Sequence, residues 1–193
     1  MLRIFLFLLF FLYYVSYADV IDFFSKIKNH KGLYLSFIQI SYIEGFDKSI
    51  YEGEAFILKN GKIKIIYKKP QKQYILIDGK KSVSYTPSEN QVIISNLDED
   101  ISLIKIFKVL SGTLKLKDMF TIKEEQNKVI LIPKDKKQIN KVVISFEDRT
   151  PKEINVYDDD GNLLILKINQ IKYLDKNINL NINYPKNTEI IEY

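Results

Sequence analysis

From Leu33 onward the chain is governed by one pattern: short runs in which apolar and polar side chains alternate, cut by glycine-containing turns. Successive side chains of a strand point to opposite faces, so each such run has one dry side and one wet side. A chain patterned this way must pair its strands and bury one face of the resulting sheet. In Lys62–Lys68, Ile63, Ile65 and Tyr67 fall on one side and Lys62, Lys64 and Lys68 on the other. In Asn177–Tyr184, Ile178, Leu180, Ile182 and Tyr184 alternate with four asparagines. Further strand-like runs are Leu33–Glu44, Gly53–Lys59, Gln73–Ile77, Lys81–Tyr85, Gln91–Ser95, Met119–Lys123, Lys128–Ile132, Lys141–Phe146, Glu153–Tyr157 and Asn162–Lys167. Asn60-Gly61, Asp78-Gly79 and Asp160-Gly161 mark tight turns, the first predicting a type I′ hairpin with positive φ at both positions.

Two segments carry helical spacing instead. In Asp19–Lys31, Val20, Phe23, Phe24 and Ile27 share a face, Asp19 is an N-cap and Gly32 a stop. The second, Ile101–Ser111, follows Asp98, Glu99 and Asp100 and precedes Gly112. Its polar stripe is narrow (Ser102, Lys105 and Lys108), and Ile101, Leu103, Ile104, Ile106, Phe107, Val109 and Leu110 leave it apolar nearly all round. Such a helix must be buried, here against the concave face of a curved sheet. About ten strands and two helices predict a mainly β, α+β fold, an antiparallel barrel or half-barrel.

The N-terminus reads as an address. Arg3, the apolar run Ile4–Val15 and then Ser16, Tyr17 and Ala18 have the layout of a secretory signal, and the run is short for a membrane span. Cleavage is expected after Ala18, leaving one domain over residues 19–193. Removal of Arg3 from the 29 basic residues leaves 28 against 24 acidic ones, a net charge of +4. The lysines are scattered through strands and turns, unlike the localised basic face of a nucleic-acid binder. The sequence contains no cysteine, hence no disulfide and no site for N-terminal lipid attachment.

Little chemistry is visible. With one histidine, His30, and no cysteine, the usual transition-metal sites cannot assemble. His30 reads as a solvated helix-end residue. Asp158, Asp159, Asp160 and Gly161 read as a turn, lacking the spacing of a calcium loop. Lys68, Lys69 and Lys72 read as a solvated strand end, without the glycine-rich loop of a phosphate site. No enzyme activity, cofactor or metal is expected. What remains is apolar surface, which either fills a core or lines a ligand cavity within the curved sheet.

Short motifs bear on that choice: Phe37-Ile38-Gln39, Gly53-Glu54-Ala55-Phe56, the stretch from Lys59 through Tyr67 to Pro70, Asp78-Gly79-Lys80, Tyr85-Thr86-Pro87, Gln91-Val92, Leu110-Ser111-Gly112, Phe120, Leu131-Ile132-Pro133, Asp160-Gly161 and Tyr184-Pro185. In order and spacing the set resembles the LolA family of periplasmic outer-membrane lipoprotein carriers. The resemblance implies an incomplete antiparallel β-barrel whose concave apolar face is covered by helices. It implies a periplasmic monomer that binds acylated lipoproteins. The family takes them from an ATP-driven inner-membrane release complex and, in many bacteria, hands them to an outer-membrane acceptor, LolB. The cavity wall is then expected at Phe37, Ile63, Ile65, Tyr67, Ile178, Leu180 and Ile182. The lid is expected at Ile101, Leu103, Ile104, Phe107 and Leu110. At the position of Asn60 well-studied members carry an arginine that latches the lid, followed by proline where this chain has Gly61. Asn60 cannot supply the charged fork of a guanidinium. The other reading on the same scaffold is an envelope sensor, or a lipid- or protein-binding module, that does not shuttle lipoproteins.

Overall fold

The computed structural model describes residues 23, 26–27, 29–96, 102–110, 116–125, 127–135 and 139–193. The expected signal segment, 1–18, lies outside them, as does most of the first expected helix, of which Phe23, Lys26 and Ile27 are helical. Among the described residues there are twelve strands. The first six are β1 (Gly32–Tyr42), β2 (Ser49–Leu58), β3 (Ile63–Lys69), β4 (Gln73–Asp78), β5 (Lys81–Thr86) and β6 (Gln91–Asn96). Helices α1 (Ser102–Leu110) and α2 (Leu116–Met119) follow. The remaining strands are β7 (Phe120–Glu125), β8 (Lys128–Pro133), β9 (Ile139–Glu147), β10 (Thr150–Asp158), β11 (Leu163–Leu174) and β12 (Glu189–Glu192).

All twelve form one open sheet in the order β12-β6-β5-β4-β3-β2-β1-β11-β10-β9-β8-β7. Apart from β12, each half is a meander of hairpins, as the alternation and turn residues dictate. The halves join where β1 pairs with β11 from Gly32↔Leu174 to Tyr42↔Leu163. Register carries one face across the joint. Leu33, Leu35 and Phe37 lie opposite Ile57, Ala55 and Gly53 on β2, which lie opposite Ile63, Ile65 and Tyr67 on β3. In the other half Leu166 on β11, Ile154 on β10, Ile144 on β9 and Val129 on β8 are successive partners. These residues form one core with Phe23, Ile27 and the buried side chains of α1. The face under the helices is therefore the concave one.

Three expectations are corrected. The Asn60-Gly61 turn is not type I′: Gly61 has φ 87° and Asn60 is not among the residues with positive φ. Leu58 N donates to Lys62 O at 2.8 Å and Gly61 N to Leu58 O at 2.9 Å, closing a three-residue loop with glycine in the left-handed position. Asn177–Tyr184 is not a strand. It runs over the outer face, where Lys64 Nζ donates to Asn181 O at 2.8 Å and the Tyr184 ring lies 5.9 Å from that of Tyr85. Its alternation reflects one-sided burial without strand pairing. The last strand is instead β12, which pairs parallel to β6 from Glu189↔Gln91 to Glu192↔Ile94.

Gly53 is required by close approach. A Cβ there would sit 2.8 Å from Ile66 O and 3.0 Å from the Phe37 ring. Gly53→Ala is expected to cost about 1–3 kcal/mol through overpacking. The urea midpoint followed by far-UV circular dichroism measures it, and an unchanged midpoint contradicts the close approach.

Candidate functional site

The concave face is graded along the strands. On β1 the inward side chains Leu33 and Leu35 are 0% exposed and Phe37 1%, whereas Gln39 is 8% and Ser41 is half-buried. The deeply buried end also carries Phe23, whose ring meets Phe146 edge-on at 6.3 Å. Phe23 and Ile27, both 2% exposed, thus plug one end of the trough. Antiparallel register places the β1–β2 turn, the β10–β11 turn and the starts of β7 and β9 at the opposite end, which is the mouth.

Helix α1 fills the middle. Ile104, Ile106, Phe107, Val109 and Leu110 are all buried, Phe107 and Leu110 completely. The Phe107 ring lies 6.2 Å from Phe37, which meets Tyr67 edge-on at 6.1 Å. Ile106, Val109 and Leu110 face Phe120, Leu131, Ile139, Val142 and Ile144 across a gap of about 10 Å³. That is at most the space of one water, so helix and sheet are in direct apolar contact. Two larger spaces lie at the mouth. One of about 210 Å³ is lined by Asp118, Met119, Phe120, Pro133, Lys134, Asp135 and Ile139. The other, about 200 Å³, is lined by Ser41, Tyr42, Ile43, Val156, Asp158, Asn162, Leu163 and Leu164.

The structure brings Phe37, Ile63, Ile65 and Tyr67 together in the core with Ile104, Phe107 and Leu110. Ile101 lies outside the described residues, and of Leu103 only the helical backbone is described. Ile178, Leu180 and Ile182 belong to the segment on the outer face; Leu180 is 3% exposed yet stands outside the core under α1. Asn60 is exposed at the end opposite the mouth, and its Oδ1 accepts from Lys62 N at 3.1 Å within its own turn.

His30 departs from the sequence reading. It is not simply solvated: Nδ1 lies 2.7 Å from Asp175 Oδ1, and the ring stacks on Tyr173 at 4.7 Å. The β1–β11 pairing, distant in sequence, brings both partners to the start of β1. Asp158 serves its turn, Oδ1 accepting from Asp160 N at 3.0 Å and Asn162 N at 2.8 Å. Among the described residues no three His, Cys, Asp or Glu side chains are grouped to hold a metal ion.

The concave wall also carries a polar chain that the sequence pattern does not announce. Tyr67 OH donates to Gln39 Oε1 at 2.9 Å, and Gln39 Nε2 donates to Ser41 Oγ at 3.2 Å. The available signal is Gln39 itself, a polar residue in phase with Leu33, Leu35 and Phe37. Burial, with a smaller contribution from Tyr51, pushes the Tyr67 hydroxyl above the ordinary tyrosine value of 10.0.

Residues 28–179 match the family model described as outer membrane lipoprotein carrier protein LolA. An outer-membrane lipoprotein carrier protein of Francisella tularensis subsp. tularensis (strain WY96-3418) is 27% identical over 186 residues, covering 92% of this chain and 90% of its own. The protein of the same description from Francisella tularensis subsp. novicida (strain U112) is 26% identical over the same shares. Among solved structures, an uncharacterized conserved protein from Thermus thermophilus superposes with TM-score 0.55 at 16% identity, covering 92% of this chain and 99% of that one; it bears on the fold alone. A LolA superfamily protein from Nitrosomonas europaea gives TM-score 0.49 at 13% identity, covering 84% of this chain and 96% of that one.

Two outcomes are expected. Phe107→Ala removes a buried ring whose loss costs about 3–5 kcal/mol, so the docked state of α1 weakens and an apolar fluorescent dye binds more tightly. An unchanged dye titration contradicts the docking. Because the folded-state pKa of Tyr67 is raised, its contribution to stability is complete below pH 10 and is lost as pH climbs through the folded value. Urea midpoints above pH 10 should fall more steeply in the native protein than in Tyr67→Phe.

Proposed function

We propose that this chain, which belongs to the LolA family of outer-membrane lipoprotein carriers, takes the acyl chains of lipoproteins onto its concave face and carries them through the periplasm toward the outer membrane. The observation that carries this reading is α1, an apolar helix occupying the surface an acyl chain would use. Moving an acyl methylene out of an apolar setting costs about 0.8 kcal/mol, so two or three long chains amount to tens of kcal/mol. A lipoprotein needs an apolar host to cross water, and the host needs its own apolar wall covered when empty. A fully buried side chain is worth about 1.5–3 kcal/mol, the equivalent of about two to four methylenes. The five buried side chains of α1 thus match about 10–20 methylenes, roughly one acyl chain, so undocking the helix offsets part of the gain from loading and keeps the cargo releasable.

On this reading α1 is the lid, Phe37, Ile63, Ile65 and Tyr67 are the lipid-facing wall, and Phe23 and Ile27 close the far end. Ile43 is 51% and Phe46 77% exposed on the turn at the mouth, apolar surface suited to a docking partner. The donor is an inner-membrane ATP-driven release complex, the recipient an outer-membrane acceptor of the LolB kind, and the protein itself performs no covalent chemistry. Asn60, engaged in its own turn at the end opposite the mouth, does not supply the latch on this reading.

Inner-membrane vesicles, the release complex and ATP, incubated with the mature protein, should yield a soluble carrier–lipoprotein complex by gel filtration. If lipoproteins stay in the membrane fraction at every carrier concentration, the carrier reading is overturned. A stable complex with a protein partner and no bound lipid would instead support the sensor or binding-module reading.

A further inference from the structure

The concave wall is apolar from Leu33 to Phe37 and then polar at Gln39 and Ser41. Side chains run in contact from the lid to the mouth: Phe107 to Phe37, Phe37 to Tyr67, Tyr67 to Gln39, Gln39 to Ser41. Ser41 lines the space of about 200 Å³ at the mouth. A buried polar group costs stability unless it is bonded, and an apolar core of the same shape would serve packing as well. The position of the chain is therefore informative: it lies where an apolar trough turns polar.

We propose that the Tyr67–Gln39–Ser41 chain and the adjoining space form a subsite for neutral ester carbonyls, which receives the diacylglycerol linkage while the acyl chains replace Phe107 against Phe37. The inference rests on the carrier reading and names the part of the cargo that this end of the trough recognises. Donor chemistry supports it. A side-chain amide has two N–H donors, and the bond to Ser41 uses one. Ser41, which lines the space, accepts from Gln39 and keeps its own O–H free to donate to an acceptor-only group such as an ester oxygen. Electrostatics narrow the ligand class. Among the described residues the space is lined by one carboxylate, Asp158, and no basic residue, which suits a neutral acceptor better than a phosphate or free carboxylate headgroup.

The test uses two synthetic lipopeptides identical except at the glycerol, one a diacyl ester and the other the dialkyl ether, which keeps the hydrocarbon and removes both carbonyls. Affinities for the full-length mature protein are measured by fluorescence titration. The ester should bind about 3- to 10-fold more tightly than the ether, the range expected for one net hydrogen bond. That preference, taken as the ester-to-ether ratio within each variant, should fall toward unity in Gln39→Leu/Tyr67→Phe and in Ser41→Ala. Ser41 is half-buried, so its alanine variant keeps the test available if the double variant does not fold. Equal binding of ester and ether by the native protein, or a preference that survives in Ser41→Ala and any folded double variant, overturns the subsite and leaves the carrier reading standing. Failure of both lipopeptides to bind the native protein overturns the carrier reading, and the subsite with it.

Discussion

The docking of α1 against the concave face is the contact on which the remaining architecture depends. A twelve-stranded open sheet exposes a broad apolar trough, and water excludes such a surface unless something covers it. Phe107 and Leu110 have no exposure because they pack into one core with the inward side chains of both halves of the sheet. Close packing of the wall in turn relies on Gly53, where only a hydrogen fits under the Phe37 ring. Lid and sheet define one another: without the helix the sheet would be an adhesive surface, and without the sheet the helix would be insoluble.

The trough is closed at one end and graded at the other. Phe23 and Ile27 seal the region near Phe146, and burial loosens along β1 toward Ser41. On the carrier reading proposed above, this polarity gives a bound chain a direction. Its hydrocarbon belongs deep, near Leu33 and Leu35, and any polar linkage belongs at the mouth, where Gln39, Tyr67 and Ser41 are connected by hydrogen bonds. The exposed apolar turn with Ile43 and Phe46 stands at that same end. Entry, recognition and docking would then share one rim.

Much of the fold is legible in the sequence because strand alternation and helix periodicity are local. Ile63, Ile65 and Tyr67 announce their shared face within seven residues, and the all-round apolar character of α1 forces its burial whatever its neighbours. Where sequence and structure differ, the deciding quantity is not local. Asn177–Tyr184 alternates as a strand does, yet lies across the outer face, since alternation records one-sided burial and is silent about which backbone it pairs with. Glu189–Glu192 is too short to show a period and is a strand because the edge of β6 accepts it. Gln39 looks like an interruption of a dry face, and its link to Tyr67 joins residues 28 positions apart.

The sequence by itself determined that this chain makes an antiparallel β structure with a buried apolar helix, lacks cysteine chemistry and matches the plan of a lipoprotein carrier, because each rests on composition, period or motif order. Tertiary structure decided which face each apolar segment meets, where the trough is plugged and where it opens, and that its mouth carries a polar chain. Those properties follow from register and from the β1–β11 joint, which bring together residues more than a hundred positions apart. No periodicity along the chain encodes such a pairing.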